Sequence, residues 1–264
     1  MFKRITKFFR VLGKGFGLSM SSEMAYKFSF ILLSISLIFG DLVGPIISYV
    51  MYKVSSGLPG WTLMEFILLQ GVSIFIFGIW HTFLGGMSWE TSDLVDEGEF
   101  DSVLIKPFSI IGTLMSRGMD FHGIMDILTG AFLIILAIVK LHLITLNLIP
   151  FVFLILLACA FMFSITLILS ALAVIFVRIW AFGTLVDLIG LVSSYPLNVY
   201  SNTFRFMITF IIPAAIASYW PSAVLLGKEP LSNILMIVIP VLIFWVVSFW
   251  FWKYALKRYQ SAGG

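Results

Sequence analysis

The 264-residue chain is 61% hydrophobic and only 11% charged, with a mean hydropathy of +1.10 and a formal net charge of +3. A soluble domain carries about 25% charged residues, so this chain has too little polar side chain to cover a water-facing surface and reads as a polytopic membrane protein. No basic patch interleaved with aromatics marks a nucleic-acid partner, and the lone Cys159 cannot form an internal disulfide.

The N-terminus does not read as a cleavable signal, because its first apolar run begins only near Phe28 and no small-residue cleavage pattern follows. Instead Phe2, Ile5, Phe9, Leu12 and Phe16 recur at spacings of three and four, while Lys3, Lys7, Arg10 and Lys14 keep the same rhythm on another face. The pattern predicts a basic amphipathic helix within residues 1–20, lying on an anionic cytoplasmic leaflet.

A span needs about 20 apolar residues. The first is predicted from about Phe28 to Val50, before the Gly57-Leu58-Pro59-Gly60 turn signal. The second runs from about Leu63 to Leu84 and ends at a Gly85-Gly86 break. A polar stretch, 88–122, separates it from a third span at about Met125 to Leu143 and a fourth at about Leu148 to Phe176.

Beyond Arg178 two pieces compete for the fifth crossing. Residues 179–197 are apolar apart from Asp187 and end at Tyr195-Pro196, whereas Phe206 to Ala217 is short and carries Pro213. A clear last span follows at about Ile234 to Trp252. Both ends of the chain are basic, so the positive-inside rule places both in the cytoplasm and requires an even number of crossings. Six crossings result if 179–197 crosses and 203–220 dips back into the outer leaflet. Only Lys53, Lys140, Arg205 and Lys228 then lie outside. Charge counting slightly favours the alternative, which brings Arg205 inside; about a dozen apolar residues interrupted by proline favour the re-entrant version. The expected fold is therefore all-α and polytopic. It is a single domain over 1–264, with no repeat and no linker.

The segment Ser92–Pro107 concentrates five acids between two very apolar regions, and charge on that scale cannot sit in hydrocarbon. Phe100, Val103, Leu104 and Ile105 would give a short helix an apolar face, with Gly98 before it and Pro107 marking its end. Such a helix in water is suited to docking in a groove, although most charged loops are simply solvated connections. Catalytic patterns are missing. Gly13-Lys14-Gly15 lacks the hydroxyl residue of a phosphate-binding loop. His81, His122 and His142 are not spaced for zinc, and no G-x-S-x-G elbow occurs.

The run Gly98-Glu99-Phe100-Asp101-Ser102-Val103-Leu104-Ile105-Lys106-Pro107 resembles the "G-x-hydrophobic-D-x-x-L-x-K/R-P" signature of ABC-2-type transporter permeases. Ser194-Tyr195-Pro196-Leu197-Asn198-Val199-Tyr200, Ile212-Pro213-Ala214 and Trp220-Pro221-Ser222 are similar to the C-terminal half of the subfamily of paired permeases served by a separate ATPase. The resemblance spans nearly the whole chain. It implies a non-catalytic permease subunit of an ABC exporter, in the plasma (inner) membrane of a prokaryote, paired with an identical or similar permease. ABC ATPase subunits would bind the ATP and magnesium, leaving this chain without a cofactor or metal of its own. Carried over by position, Glu97, Gly98, Glu99, Phe100, Asp101, Leu104, Lys106 and Pro107 would form the ATPase-coupling region, with Arg178 near a second, smaller contact. The re-entrant segment would fall on about Phe204 to Trp220.

Candidates for the translocation path are Asp187, Tyr195, Pro196, Tyr200, Arg205 and Pro213. Asp187 could equally pair with a neighbouring helix, and the tyrosines fit an aromatic belt at the membrane surface. Asp41 is expected toward the outer end of the first span, with Gly40 and Gly44 explained by helix packing. The 27 phenylalanines suit an amphipathic or hydrophobic cargo but also plain lipid contact. Two other classes stand against the exporter. A membrane scaffold without a transport path would tolerate changes at Asp187, and a membrane-embedded enzyme would act without any ATPase.

Overall fold

The computed structural model describes residues 13–21, 26–106, 108–176 and 182–260. They form a helical bundle in which five helices are long and apolar enough to cross a membrane. Helix α1 (Lys27–Val54) has 28 residues, about 42 Å at 1.5 Å per residue, against a hydrocarbon core of about 30 Å. Most of its surface faces outward, so it contributes little to the core. The stretch 13–21 is helical and docks through Phe16, whose ring packs on Phe83 and Phe121, and through Ser19, whose hydroxyl donates to the Met119 carbonyl. The first twelve residues of the expected interfacial helix lie outside the described residues.

Helix α2 (Leu63–Trp80) starts at a capping box: the Thr62 amide donates to the Glu65 carboxylate at 2.7 Å, and the Glu65 amide returns to the Thr62 hydroxyl. Contrary to the break expected from sequence, the helix continues through Gly85-Gly86. One widened turn, His81–Gly85, absorbs the pair, and α3 (Gly86–Asp96) carries on as part of a 34-residue helical rod, Leu63–Asp96. Inserting a residue into a turn keeps the helix hydrogen-bonded where a true break would expose backbone groups. The acidic segment therefore begins on a helix rather than in a loop.

Gly98, at φ +74°, closes α3, with the Glu99 amide reaching back to the Leu94 carbonyl. Short helices α4 (Phe100–Leu104) and α5 (Ile110–Arg117) follow and turn the chain back toward the bundle. Helix α6 (Gly123–Lys140) then returns antiparallel to α2, and α7 (Leu148–Phe176) runs parallel to α2 through the centre. The Trp80 indole N–H ties those two together by donating to the Thr166 hydroxyl at 2.9 Å.

The described part of α8 (Phe182–Ser193) is 12 residues long. After it the chain is broken into a 3₁₀ turn (Leu197–Val199), α9 (Asn202–Phe206), a widened turn (Met207–Ile211), a second 3₁₀ turn (Ala214–Ala217) and α10 (Tyr219–Leu225). Both ends of this broken segment grip one turn. The Asn198 amide donates to the Pro59 carbonyl at 2.7 Å, and the Lys228 ammonium donates to the Gly60 carbonyl at 2.8 Å. The chain thus enters and leaves this region by the same face of the bundle, opposite the acidic segment. Helix α11 (Ile234–Arg258) runs back to the acidic face, where the Tyr259 ring meets Phe100 edge-on.

Glycines set how closely the central helices approach. On α2, Gly71 and Gly78 face the backbone of α6 at Gly130 to Leu133 and at Asp126 to Ile127; Gly130 in turn meets the Gly71 carbonyl and the Phe75 backbone. Gly86 and Gly118 lie backbone against backbone at the base of α3. Close backbone approach through small residues is how helices associate where lipid removes the hydrophobic drive. We expect Gly130→Ala, and more strongly Gly86→Ala, to lower stability by roughly 1–3 kcal/mol through overpacking. Gly40→Ala, which meets nothing within 4 Å, should be neutral or slightly stabilising. Thermal unfolding of the detergent-solubilised chain would measure all three.

Candidate functional site

The acidic elbow between α3 and α5 is the first candidate. Its acids are a direct consequence of the local fold, since α3 points its apolar residues Leu94 and Val95 inward and leaves Asp93, Asp96 and Glu97 outward. Glu99 and Lys106 are exposed too, Asp101 and Leu104 are half-buried, and Gly98 supplies the left-handed turn. Arg117 at the end of α5 pairs with Glu90 at 3.1 Å across the base of the elbow. Pro107 and Arg178 lie outside the described residues.

Phe100 departs from expectation. The sequence places it on an outward apolar face with Leu104, ready for a partner, but it is fully buried against Tyr259 in the chain's own core, as is Val103. A phenylalanine left in water until a partner arrives loses the benefit of burying its whole ring. A five-residue helix wedged between α3 and α5 can bury it at once. The apolar side chain that does project from the elbow is Ile105, 84% exposed, with Phe108 beside it. Phe100 and Val103 hold the elbow's shape; Ile105 and the acids form its surface.

The path candidates divide. Tyr195, Pro196, Tyr200 and Arg205 gather at one corner of the opposite face. There the Arg205 guanidinium donates to the Leu197 carbonyl at 3.1 Å and the Tyr200 hydroxyl donates to the Val192 carbonyl at 3.0 Å. The Tyr195 ring packs against Phe66, and Pro196 is buried. Pro213 is buried at the bend of the broken segment, near where Ser193 and Ser218 bond α8 to it through Ala214 and the Ser193 carbonyl. Asp187 stands apart, exposed on α8 among exposed Leu185, Leu188 and Leu191.

Sequence reasoning missed a polar cluster where α1, α2 and α6 meet. His81 donates from Nδ1 to the buried Asp126 carboxylate at 2.7 Å, and Asp41 lies within electrostatic range of both, with Thr129 in reach of its carboxyl. Asp41 sits midway along α1, not toward its outer end as expected. The histidines looked unrelated because 45 residues separate His81 from Asp126 in sequence. Only antiparallel pairing of α2 and α6 joins them. An acid near the start of a predicted span was the available signal. On the far face, burial and then the Glu229 carboxylate that accepts its hydrogen bond hold the Tyr219 phenol well above its usual range, so it stays a donor.

Five apolar helices of spanning length, with a few polar groups between them, define a multi-pass membrane protein. Residues 35–263 match the model of the ABC-2 family transporter protein, and the chain belongs to that family. Members of this family are generally non-catalytic permease subunits that work with an ATPase. No curated protein matches the chain.

Burial predicts a clean separation at the elbow. Phe100→Ala should cost about 3–5 kcal/mol, the usual loss for a buried aromatic, whereas Ile105→Asp should leave the unfolding midpoint unchanged. Size-exclusion profiles and thermal unfolding of the two variants would show the difference.

Proposed function

We propose that the chain is the transmembrane permease subunit of an ATP-binding cassette exporter, moving an amphipathic or hydrophobic substrate out of the cytoplasm by alternating access. A separate ATPase subunit binds the ATP and magnesium and seats on the acidic elbow. The observation that carries this reading is the unbroken Leu63–Asp96 rod. It connects the elbow to the centre of the bundle, so a push on Glu97–Lys106 from outside the bilayer displaces α2 and, through the glycine contacts, α6. An ATPase can shift the permease between two arrangements only by contacting them differently, and an elbow rigidly joined to a spanning helix meets that condition.

The topology follows from the same frame. The described ends of the chain, residues 13–21 beside Ser116 and Met119 and Tyr259 beside Phe100, lie toward the acidic side, which the positive-inside rule assigns to the cytoplasm. Helix α7 ends on that side while Leu197–Val199 lies on the other, beside Pro59, which supports 179–197 as the fifth of six crossings. The paired grip of Asn198 and Lys228 on the Pro59–Gly60 turn supports 203–220 as a re-entrant segment at the outer face. Asp187, exposed on α8 within that crossing, would not face lipid, where an unpaired carboxylate is costly. It faces a water-filled path or a second permease, identical or similar, across the pair. One transmembrane domain over 1–264, in a prokaryotic plasma membrane, completes the assignment.

Two measurements test it. Affinity capture of the full chain from its native membrane should bring an ATP-binding subunit in stoichiometric amount, and Ile105→Asp should release that subunit; retained binding overturns the elbow contact. In a Cys159→Ser background, Ser201→Cys should react with an impermeant thiol reagent from the outside of the cell. Labelling only from the cytoplasmic side would instead make 203–220 the fifth crossing.

A further inference from the structure

Helix α1 meets the bundle along a polar stripe. Most of its surface is apolar and open, and the residues it buries are Ser34, Pro45 and Ser48. Ser34, Asp41 and Ser48 recur at heptad spacing, so they share one face, and α1 packs on α2 and α6. Ser48 reaches the Gln70 side chain of α2 at 3.2 Å. A helix seated in a membrane through polar groups depends on how those groups are paired.

Midway along the stripe the pairing is incomplete. The Asp41 Oδ2 oxygen is shut off from the surface and has no hydrogen-bond partner among the described residues. Thr129 of α6 lies in reach, but its hydroxyl already donates to the Met125 carbonyl at 2.9 Å. Toward Asp41 it therefore presents lone pairs and no hydrogen. The charges acting on Asp41 are Asp126 from α6 and His81 from α2, and those two pair with each other at 2.7 Å. Other ionisable groups on these elements stand further off. Asp120 and His122 pair at 3.2 Å just before α6 begins, Glu65 is held by Lys228 at 3.0 Å at the far end of α2, and Lys140 closes α6. On α1 itself Lys27, Tyr49, Tyr52 and Lys53 are two turns or more from Asp41. Two carboxylates against one imidazole leave the cluster one positive charge short even when His81 is protonated. In a helix pair surrounded by hydrocarbon that deficit is costly.

One ligand meets both deficits and needs no cavity. We propose that Asp41, Asp126 and His81 form a binding site for a single proton, and that the loaded site seats α1 on α2 and α6. The proton comes from water and returns to it, so no other reactant takes part. Bound, it gives the Asp41 carboxyl a hydrogen to donate to Thr129 and brings the cluster to neutrality. Groups this close titrate together, so the proton belongs to the cluster rather than to one residue. His81 is its accessible member, with 48% of its side chain exposed. It also opens the widened turn His81–Gly85, a distortion that gathers at functional sites.

The test needs no ATPase, so its failure leaves the permease reading standing, and a failed capture experiment leaves this site standing. The full chain, purified in a neutral maltoside detergent, is unfolded thermally from about pH 6 to about pH 8, a range in which solvated carboxylates stay charged. A native state that holds one proton more than the unfolded chain loses stability as pH rises, so the midpoint should fall by several degrees across the range. Asp41→Asn keeps the shape and stays neutral at every pH. It should match the parent at the acidic end, exceed it at the alkaline end, and show a weaker pH dependence. A carboxylate that merely braces the fold gives the reverse, with Asp41→Asn less stable than the parent throughout, and that result would overturn the proposal. Infrared spectra of the parent, in vesicles of neutral phosphatidylcholine, give a second readout that no folding defect of a variant can obscure. A protonated-carboxyl band should be present at the acidic end and fade toward the alkaline end; its absence at both ends overturns the site. Midpoints that respond to sodium or potassium at fixed pH, and not to pH, would assign the cluster to a metal cation and overturn it as well.

Discussion

The close approach of α2 to α6 is the constraint on which the rest of this structure depends. Two glycines on α2 and Gly130 on α6 let the backbones meet, and in hydrocarbon that contact cannot be replaced by burying more apolar surface, because lipid is as apolar as leucine. From this pairing follow the placement of His81 beside Asp126, the position of α1 across both helices, and the direction in which α7 fills the centre. Gly86 against Gly118 repeats the device at the base of the elbow. There it keeps the extended rod close to α5 as it leaves the membrane.

The two faces of the bundle are built in contrasting ways. On the acidic side a continuous helix carries charge out of the membrane and is braced by buried Phe100 and Val103, the Glu90–Arg117 pair and the Tyr259 ring. An exposed ion pair of that kind contributes less than about 1 kcal/mol, so the buried apolar residues do most of the bracing. On the opposite side the chain is broken into short turns: Arg205 and Ser193 donate to carbonyls within it, while Asn198, Lys228 and Ser218 tie it to the Pro59–Gly60 turn and to the end of α8. Irregular backbone is tolerated at membrane depth only when it is buried in protein or lines a cavity, and the Ala214–Leu225 stretch meets that rule by being almost wholly buried against α7.

Most of the elements could be read directly from the chain. Apolar runs of spanning length predicted where the five long helices begin to within a few residues, Leu148 among them, because excluding charge from hydrocarbon is a local, one-dimensional condition; two of them run on past the predicted end, to Asp96 and to Arg258. The turn chemistry was equally local: Gly57, Gly60 and Gly98 all adopt the positive φ that their places between apolar runs implied. Errors arose where a residue's role depends on what lies across from it. Gly85-Gly86 looked like a break but is a widened turn facing Gly118, and Phe100 looked like a docking residue but fills the chain's own core.

The sequence by itself determined that this chain lives in a membrane, where most of its long apolar helices lie, and that its acids gather in one segment. Each of these is a matter of composition along a segment, and the bilayer enforces it segment by segment. Only the tertiary structure decided which polar groups meet. His81 with Asp126, and Asn198 and Lys228 with the Pro59–Gly60 turn, are contacts between residues far apart in the chain. They exist because helices of nearly uniform hydrophobicity carry no strong facing pattern of their own, so glycine contacts and backbone hydrogen bonds, rather than an amphipathic stripe, set which faces come together.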